Sequence, residues 1–275
     1  MKPKPFGLAL GAGAIRGLCH VGVLEVLEQN GLVPDMISGT SMGAVVGGLY
    51  AAGVPISKMK ELVGTLKKSD VVDFNLFALK NNGFLTGKKS EMLIKELCGD
   101  IRIEDCKIPF VAVAVDVISG KTVYIREGKL TEAIRASYAV PGVFAAKKKD
   151  NMLLVDGGIK ERIPVNILRE MGAKYVLGVN PCDGIIEDKC PTNIALQLGR
   201  IFEIMDWELT RRKLNEADYV LSIKSKLMNS SSISEASVAY EQGREAALLK
   251  LDDIRRAIHR KLRKGLFFNL KKQKS

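Results

Sequence analysis

The chain has 275 residues, of which 47% are hydrophobic and 27% charged, and this composition excludes a disordered or low-complexity protein. Its net charge of +11 is unevenly placed, because nine Lys and Arg residues and no acidic residue follow Asp253. The basic character therefore belongs to the C-terminal end, and the rest of the chain is nearly neutral. Nucleic-acid binding is not expected, since basic and aromatic residues are not interleaved into a recognisable module.

Metal and membrane signals are weak. The five cysteines lack a C-x-x-C pair, and His20 and His259 are the only histidines, so we predict no metal and no cofactor. Reduced thiols favour a cytoplasmic protein. Residues 2–14 resemble a signal peptide, and residues 36–57 carry no charge over a length that could span a bilayer. Their glycines and Pro55 favour strands followed by turns and helices instead.

Apolar segments of strand and helix type alternate along most of the chain. In chain order, strands are predicted at 6–10, 36–37, 108–117, 122–125, 153–155, 175–179 and 219–223, and helices at 18–27, 42–52, 130–138, 165–171, 194–214 and 235–262. This alternation predicts an α/β fold, a three-layer α/β/α sandwich with a mostly parallel central sheet. We expect one domain over residues 1–253 and a basic C-terminal tail over residues 254–275.

Residues 39–43 read Gly-Thr-Ser-Met-Gly and match the G-x-S-x-G nucleophile elbow. In that motif a strand turns sharply into a helix so that the serine, here Ser41, projects from the turn. Side chains at Gly39 and Gly43 would collide there, and the helix beginning at Met42 lends partial positive charge to a developing alkoxide. The pattern alone is weak, but the apolar strand before it and the apolar helix after it fit.

A glycine-rich turn, Gly11–Gly17, lies between the first strand and the first helix. Backbone N–H groups in such a turn converge on one point, as an oxyanion hole or a phosphate site requires. The dinucleotide fingerprint G-x-G-x-x-G fits poorly, because Arg16 stands at its third glycine and Asp35 precedes the second strand. The looser spacing Gly11, Gly13 and Gly17 keeps a nucleotide-binding protein open as an alternative.

Asp156, Gly157 and Gly158 directly follow an apolar strand. An aspartate at a strand end, followed by two glycines, reaches a neighbouring strand-end serine with little obstruction. A carboxylate with a pKa of about 4 in water is a poor base for a hydroxyl, and burial would favour proton transfer. Taken alone, the Asp-Gly-Gly sequence is more often only a turn.

The glycine-rich turn with a basic residue, then G-x-S-x-G, then Asp-Gly-Gly resembles the patatin-like phospholipase family, especially its short bacterial members. Residues 17–28 also match, and residues 136–144 are similar to the family's S-x-A-x-P-G-x-F block. The resemblance runs from about residue 6 to residue 179. It implies a catalytic dyad without histidine. The implied roles are nucleophile for Ser41, base for Asp156, oxyanion donors for the amides of Ala12, Gly13 and Ala14, and orientation of the loop for Arg16.

Two departures from the family pattern stand out. Ala12 and Ala14 replace glycines that the family often has, which is tolerable only if neither position needs a positive φ. Residues 160–162, Lys-Glu-Arg, follow the Asp-Gly-Gly motif where smaller residues are common. This second departure bears on the shape of the substrate site.

A catalytic triad is the competing arrangement, because Ser41, Asp156 and His259 follow the chain order of α/β-hydrolases. His259 lies among Arg255, Arg256, Arg260 and Lys261, where a base is electrostatically disfavoured from taking a proton. His20 is expected to be structural.

The resemblance implies substrates that are long-chain esters, such as phospholipids, lysophospholipids or acylglycerols. The apolar segment 74–79 has two interpretations, a cover for an acyl channel or an ordinary packing segment. The basic tail suits peripheral contact with the anionic inner membrane surface, or it only aids solubility. A membrane-associated regulatory protein without catalysis stays open as a further alternative.

Overall fold

The computed structural model describes residues 5–71, 73, 85–184, 194–224 and 233–272. Its sheet has eight strands within these residues: β1 (Phe6–Leu10), β2 (Met36–Thr40), β3 (Phe110–Asp116), β4 (Lys121–Ile125), β5 (Lys147–Lys149), β6 (Met152–Asp156), β7 (Tyr175–Asn180) and β8 (Tyr219–Ser222). The strands β3, β2, β1, β7 and β8 lie side by side in parallel. Antiparallel pairs join β3 to β4, β3 to β6, and β5 to β6.

The helices of the described residues are α1 (Cys19–Gln29), α2 (Met42–Ala52), α3 (Ile56–Thr65), α4 (Lys68–Val71), α5 (Lys88–Cys98), α6 (Leu130–Ser137), α7 (Val165–Glu170), α8 (Ile194–Lys213) and α9 (Ala236–Lys272). None of them is long and apolar enough to cross a membrane. The uncharged segment 36–57 forms β2, α2 and the first residues of α3, as its glycines indicated.

The central strands are buried on both faces, and their side chains alternate between two apolar clusters. Leu8 and Leu10 join the larger cluster, which includes residues of α1, α2 and α9. Ala9, between them, packs on the opposite face with Ile167 and Leu168 of α7. This alternation follows from the two-residue period of a strand, and it creates helical layers on both faces of the sheet. The predicted three-layer α/β fold is thereby confirmed.

The structure adds elements that the sequence pattern did not predict. β5 consists of three lysines at a sheet edge, so it has no apolar alternation to reveal it. α3 and α5 lie between residues 53 and 107, for which we predicted neither a helix nor a strand. β2 runs on to Thr40, because its residues continue to pair with β3 past the glycine of the elbow motif.

Helix α9 packs across α1 at very short distance. A Cβ atom added at Gly22 would lie 2.2 Å from the carbonyl oxygen of Tyr240, and one added at Gly243 would lie 2.0 Å from that of Cys19. The helix also continues past residue 253, and Ile254 and Ile258 are buried in the core. The division into a domain and a tail at this position therefore stays a prediction.

We expect Gly22→Ala and Gly243→Ala each to lower the free energy of unfolding by about 1–3 kcal/mol, because the added methyl group forces the two backbones apart. Gly64→Ala is the matched control at an exposed position of α3, where an added Cβ meets nothing within 4 Å. This change should raise stability by about 0.5–1 kcal/mol. Urea unfolding followed by circular dichroism measures all three. Equal effects at the three positions would contradict the close helix contact.

Candidate active site

Ser41 lies at the sharp junction between β2 and α2. Its backbone angles are φ 56° and ψ −122°, an unusual conformation for a residue with a side chain. Added Cβ atoms would lie 2.4 Å from the Gly43 oxygen at Gly39, and 2.1 Å from the Leu10 oxygen at Gly43. Both glycines are therefore required by close backbone contacts, as the motif predicted.

The backbone groups of the elbow have defined partners. The Ser41 N–H donates to Oγ of Ser137 at 3.0 Å, and the Ser41 carbonyl accepts from Ala44 and Val45 in the first turn of α2. The N–H of Met42 has no acceptor among the described residues, as is usual at the start of a helix. Ser41 itself is 6% exposed. The serine thus lies at the positive end of a helix.

Strand β3 brings Asp156 to the same place. Thr40 pairs with Val113, and Asp156 pairs with Ala114, the next residue of β3. Because β4 occupies the other side of β3 at both positions, β2 and β6 must share one side. Asp156, the last residue of β6, therefore lies next to the end of β2, and the β3 partners of Asp156 and Thr40 are only one strand rise, about 3.3 Å, apart.

The Asp-Gly-Gly turn is closely packed at this junction. Asp156 is 5% exposed, its Oδ1 accepts the N–H of Gly158 at 2.7 Å, and its own N–H donates to the Ala139 oxygen at 3.0 Å. A Cβ added at Gly157 would lie 2.5 Å from the oxygen of Val113. The carboxylate is held by its own backbone.

The glycine-rich turn packs directly on the elbow. A Cβ added at Gly17 would lie 2.6 Å from Cβ of Met42, and Gly158 has Ala12 close by. Gly11 N–H donates to the Val179 oxygen at 3.0 Å, which completes the β1–β7 contact. All three sequence motifs therefore meet at the carboxyl ends of β1, β2 and β6.

One prediction about this turn was wrong. The Ala12 N–H donates to the Arg162 oxygen at 2.9 Å, so it is not available as an oxyanion donor. Of the two alanines in the turn, Ala14 does have a positive φ, 47°. The N–H groups of Gly13 and Ala14 have no protein acceptor within the described residues, because these two residues begin a short 3-10 helix, Ala14–Leu18.

Arg16 is buried in this short helix, and its Nη1 donates to Sγ of Cys182 at 3.2 Å. Cys182 follows β7, so the contact connects the glycine-rich turn to the neighbouring strand end. A role in orienting the loop, which the family resemblance implied, is compatible with this position.

Residues 161–164, which overlap the Lys-Glu-Arg departure at residues 160–162, brace the site through their main-chain oxygens, a role that the sequence did not predict. The Glu161 oxygen accepts from Oγ1 of Thr40 at 2.9 Å, and the Pro164 oxygen accepts from Oγ of Ser38 at 2.6 Å. Together with the Ala12 bond to Arg162, these contacts attach residues 161–164 to both β2 and the glycine-rich turn. Main-chain acceptors leave no sequence signal, which is why this brace was missed.

The apolar segment 74–79 lies outside the described residues, but Asp73 and Leu85, the nearest described residues on either side of it, are well anchored. Asp73 accepts hydrogen bonds from the Thr86 hydroxyl and from the N–H groups of Gly87 and Lys88 at the start of α5. Burial opposes the charged form, but these bonds lower the pKa of Asp73. Leu85 pairs with Phe144 in the block of residues 136–144.

The two histidines have different positions. His20 is fully buried, and its Nε2 lies 2.8 Å from the Gly11 oxygen, which requires a proton on Nε2. Burial lowers the pKa of His20 to about 4, so the ring is neutral at pH 7 and acts as a structural donor. His259 lies in α9, and its side chain is outside the described part. Within the residues described, no three His, Cys, Asp or Glu side chains cluster as a metal site.

Comparison with known proteins identifies the family of this chain. Residues 8–169 match the family model for patatin-like phospholipases, and the chain belongs to that family. It is 36% identical over 173 residues to an uncharacterized NTE family protein of Mycobacterium tuberculosis, covering 63% of this chain and 48% of that protein. It is 32% identical over 203 residues to lysophospholipase NTE1 of Candida albicans, covering 73% of this chain and 14% of that protein. The chain thus spans half or less of these relatives.

A solved structure shows the same fold. VipD from Legionella pneumophila superposes with a TM-score of 0.57 at 14% sequence identity, over 92% of this chain and 67% of that one. At this identity the likeness concerns the fold alone.

We expect the buried, neutral His20 to make stability depend on pH. Its pKa is lower in the folded state, about 4, than the ordinary 6.5, so the stability it contributes is present above pH 6.5 and is lost as pH falls towards 4. Replacing it by His20→Gln keeps a donor for Gly11 but removes the titration. Relative to the variant, the wild type should lose about 3 kcal/mol of unfolding free energy between pH 7.5 and pH 4. A constant difference in urea unfolding across this range would contradict the assignment.

Proposed function

We propose that this chain hydrolyses lipid esters with Ser41 as nucleophile, Asp156 as general base and the N–H groups of Gly13 and Ala14 as oxyanion donors. Membership of the patatin-like phospholipase family supports lipid hydrolysis in general. The observation that carries the residue assignment is the pairing of Thr40 and Asp156 with consecutive residues of β3.

The proposed reaction has two acyl-transfer steps. Asp156 takes the proton of Ser41 as Oγ bonds to the ester carbonyl carbon, and the oxyanion accepts hydrogen bonds from the N–H groups of Gly13 and Ala14. The alcohol leaves with the proton from Asp156, and an acyl group stays on Ser41. Water then attacks this ester and gives a proton to Asp156. The fatty acid leaves as Ser41 regains its proton, so no net proton is taken up by the enzyme.

Long-chain esters are the proposed substrates: phospholipids, lysophospholipids or acylglycerols. The side chains of Val140 and Val143 are exposed. They lie close to the site along the chain, because the oxygen of Ala139 accepts the N–H of Asp156. An apolar rim of this kind suits an acyl chain. The Candida albicans relative bears the name lysophospholipase, and lysophospholipids belong to this class of substrate.

We expect Ser41→Ala and Asp156→Asn to lower the hydrolysis rate of nitrophenyl esters by about 10³-fold or more, because each removes a group that acts on the reacting atoms. His259→Ala should retain wild-type activity. A series of esters of increasing chain length measures the effect and sizes the acyl site.

Other outcomes separate the alternatives. Loss of activity in correctly folded His259→Ala would replace the dyad by a triad. A wild-type protein that is inert to every ester, but binds nucleotide through Gly11–Gly17, would support the nucleotide-binding alternative. An inert protein that still binds membranes would support a regulatory role.

We also propose that the protein works in the cytoplasm, at the inner membrane surface. Four cysteines of the described part, Cys19, Cys98, Cys106 and Cys182, are free, which fits a reducing compartment. Helix α9 is anchored in the core through Ile254 and Ile258 and carries the basic C-terminal residues away from that anchor. Anionic lipid is the partner that this charge fits.

Removing residues 260–275 should weaken binding to phosphatidylglycerol vesicles, since each basic residue near such a surface contributes about 1 kcal/mol. The shortened chain keeps Ile254 and Ile258, so its hydrolysis of a soluble short-chain ester should match wild type. Vesicle sedimentation measures binding, with phosphatidylcholine vesicles as the uncharged control. Unchanged sedimentation with anionic vesicles would reject the tail as a membrane contact.

A further inference from the structure

The hydrogen bonds between β2 and β3 follow a regular series that ends at Ser41. The Ile37 N–H donates to the Pro109 oxygen at 2.9 Å, and the parallel register continues to Thr40 and Val113. With the two-residue period of a parallel ladder, the next bonds in the series run from residue 39 to residue 111 and from Ser41 to Val113.

The last of these bonds is not direct, because a side chain from another element enters it. The Ser137 hydroxyl accepts the Ser41 N–H at 3.0 Å and donates to the Val113 oxygen at 2.6 Å. Ser137 is the last residue of α6 and is fully buried. The ladder thus continues through one inserted hydroxyl group.

We infer that Ser137 is a positioning residue that sets the placement of the Ser41 nucleophile by extending this hydrogen bond. The inference rests on the proposed role of Ser41. A direct bond would keep Ser41 in line with β2, whereas the inserted hydroxyl lets the chain leave the sheet and still satisfies both buried groups. A non-glycine residue at φ 56° needs such external support, because strained backbone persists only where its surroundings hold it.

The Ser137 hydroxyl lies at the position on the edge of β3 where β2 ends and β6 ends beside it. Its acceptor, Val113, is the residue against which Gly157 packs, and Ala114 next to it pairs with Asp156. Moving the Ser41 backbone relative to Val113 therefore also moves it relative to Asp156. Displacements of about 1 Å between reacting groups cost about a hundredfold in rate.

Ser38 provides a matched control in the same strand as the elbow. It is also fully buried, and its hydroxyl donates to a main-chain oxygen, that of Pro164, at the same distance of 2.6 Å. Its own backbone lies in regular β2, so removing its hydroxyl costs a buried hydrogen bond without releasing the elbow. A merely structural role of Ser137 predicts similar effects for Ser137→Ala and Ser38→Ala.

The experiment measures the rate at which a fluorophosphonate probe labels Ser41, together with kcat and KM for a soluble nitrophenyl ester. We expect Ser137→Ala to slow labelling and kcat by about a hundredfold with little change in KM. Ser38→Ala removes one contact between β2 and residues 161–164 but leaves the elbow supported, so it should slow labelling at least tenfold less than Ser137→Ala does, even where urea unfolding shows a comparable loss of stability. Labelling at wild-type rate in Ser137→Ala, or equal losses in both variants, would overturn the inference.

Amide hydrogen exchange of the wild-type protein tests the same inference without depending on the folding of a variant. Amide hydrogen exchange should be much slower at Ser41 than at Gly13, since only the first amide has a protein acceptor within the described residues. Equally fast exchange at both amides would also overturn the inference. Failure of the proposed function looks different: the wild type is then not labelled at Ser41, or Ser41→Ala keeps full activity.

Discussion

One edge of β3 is the constraint on which the site depends. Two strands of opposite direction, β2 and β6, share that edge end to end, and their meeting point is fixed by hydrogen bonds to Val113 and Ala114. Because both strands pair with the same backbone, β3 sets the distance between the serine at the end of one strand and the aspartate at the end of the other.

Backbone groups approach each other closely throughout this region, and these close contacts explain why so many of its residues are glycine. The elbow, the glycine-rich turn and the Asp-Gly-Gly turn pack with main chain against main chain, where a methyl group has no room at Gly43 or Gly157. Burial on this scale requires partners for every N–H and C=O group. Residues 161–164 and Ser137 supply several of those partners, whereas the N–H groups of Gly13 and Ala14 have no protein acceptor within the described part of the chain.

The fold and the motif positions followed from the sequence because they depend on local patterns. Buried parallel strands are short apolar runs, and the three motifs place Ser41, Asp156 and Gly13 at strand ends. The failures have different physical causes. β5 has no apolar side chains, the Ala12 amide is occupied by a main-chain oxygen 150 residues further on, and the exposed Ala14 adopts a left-handed backbone that no side-chain pattern indicates. Such long-range main-chain contacts leave no mark on a single sequence.

The anchors at Asp73 and Leu85 have a consequence for diversity within the fold. Asp73 binds the turn at Thr86–Lys88, so the two ends of the segment between them are joined independently of that segment's length. Lengthening a closed loop costs little, about 0.6 kcal/mol for each doubling. Segments of different length could therefore be exchanged between family members at this position while β3 keeps its register.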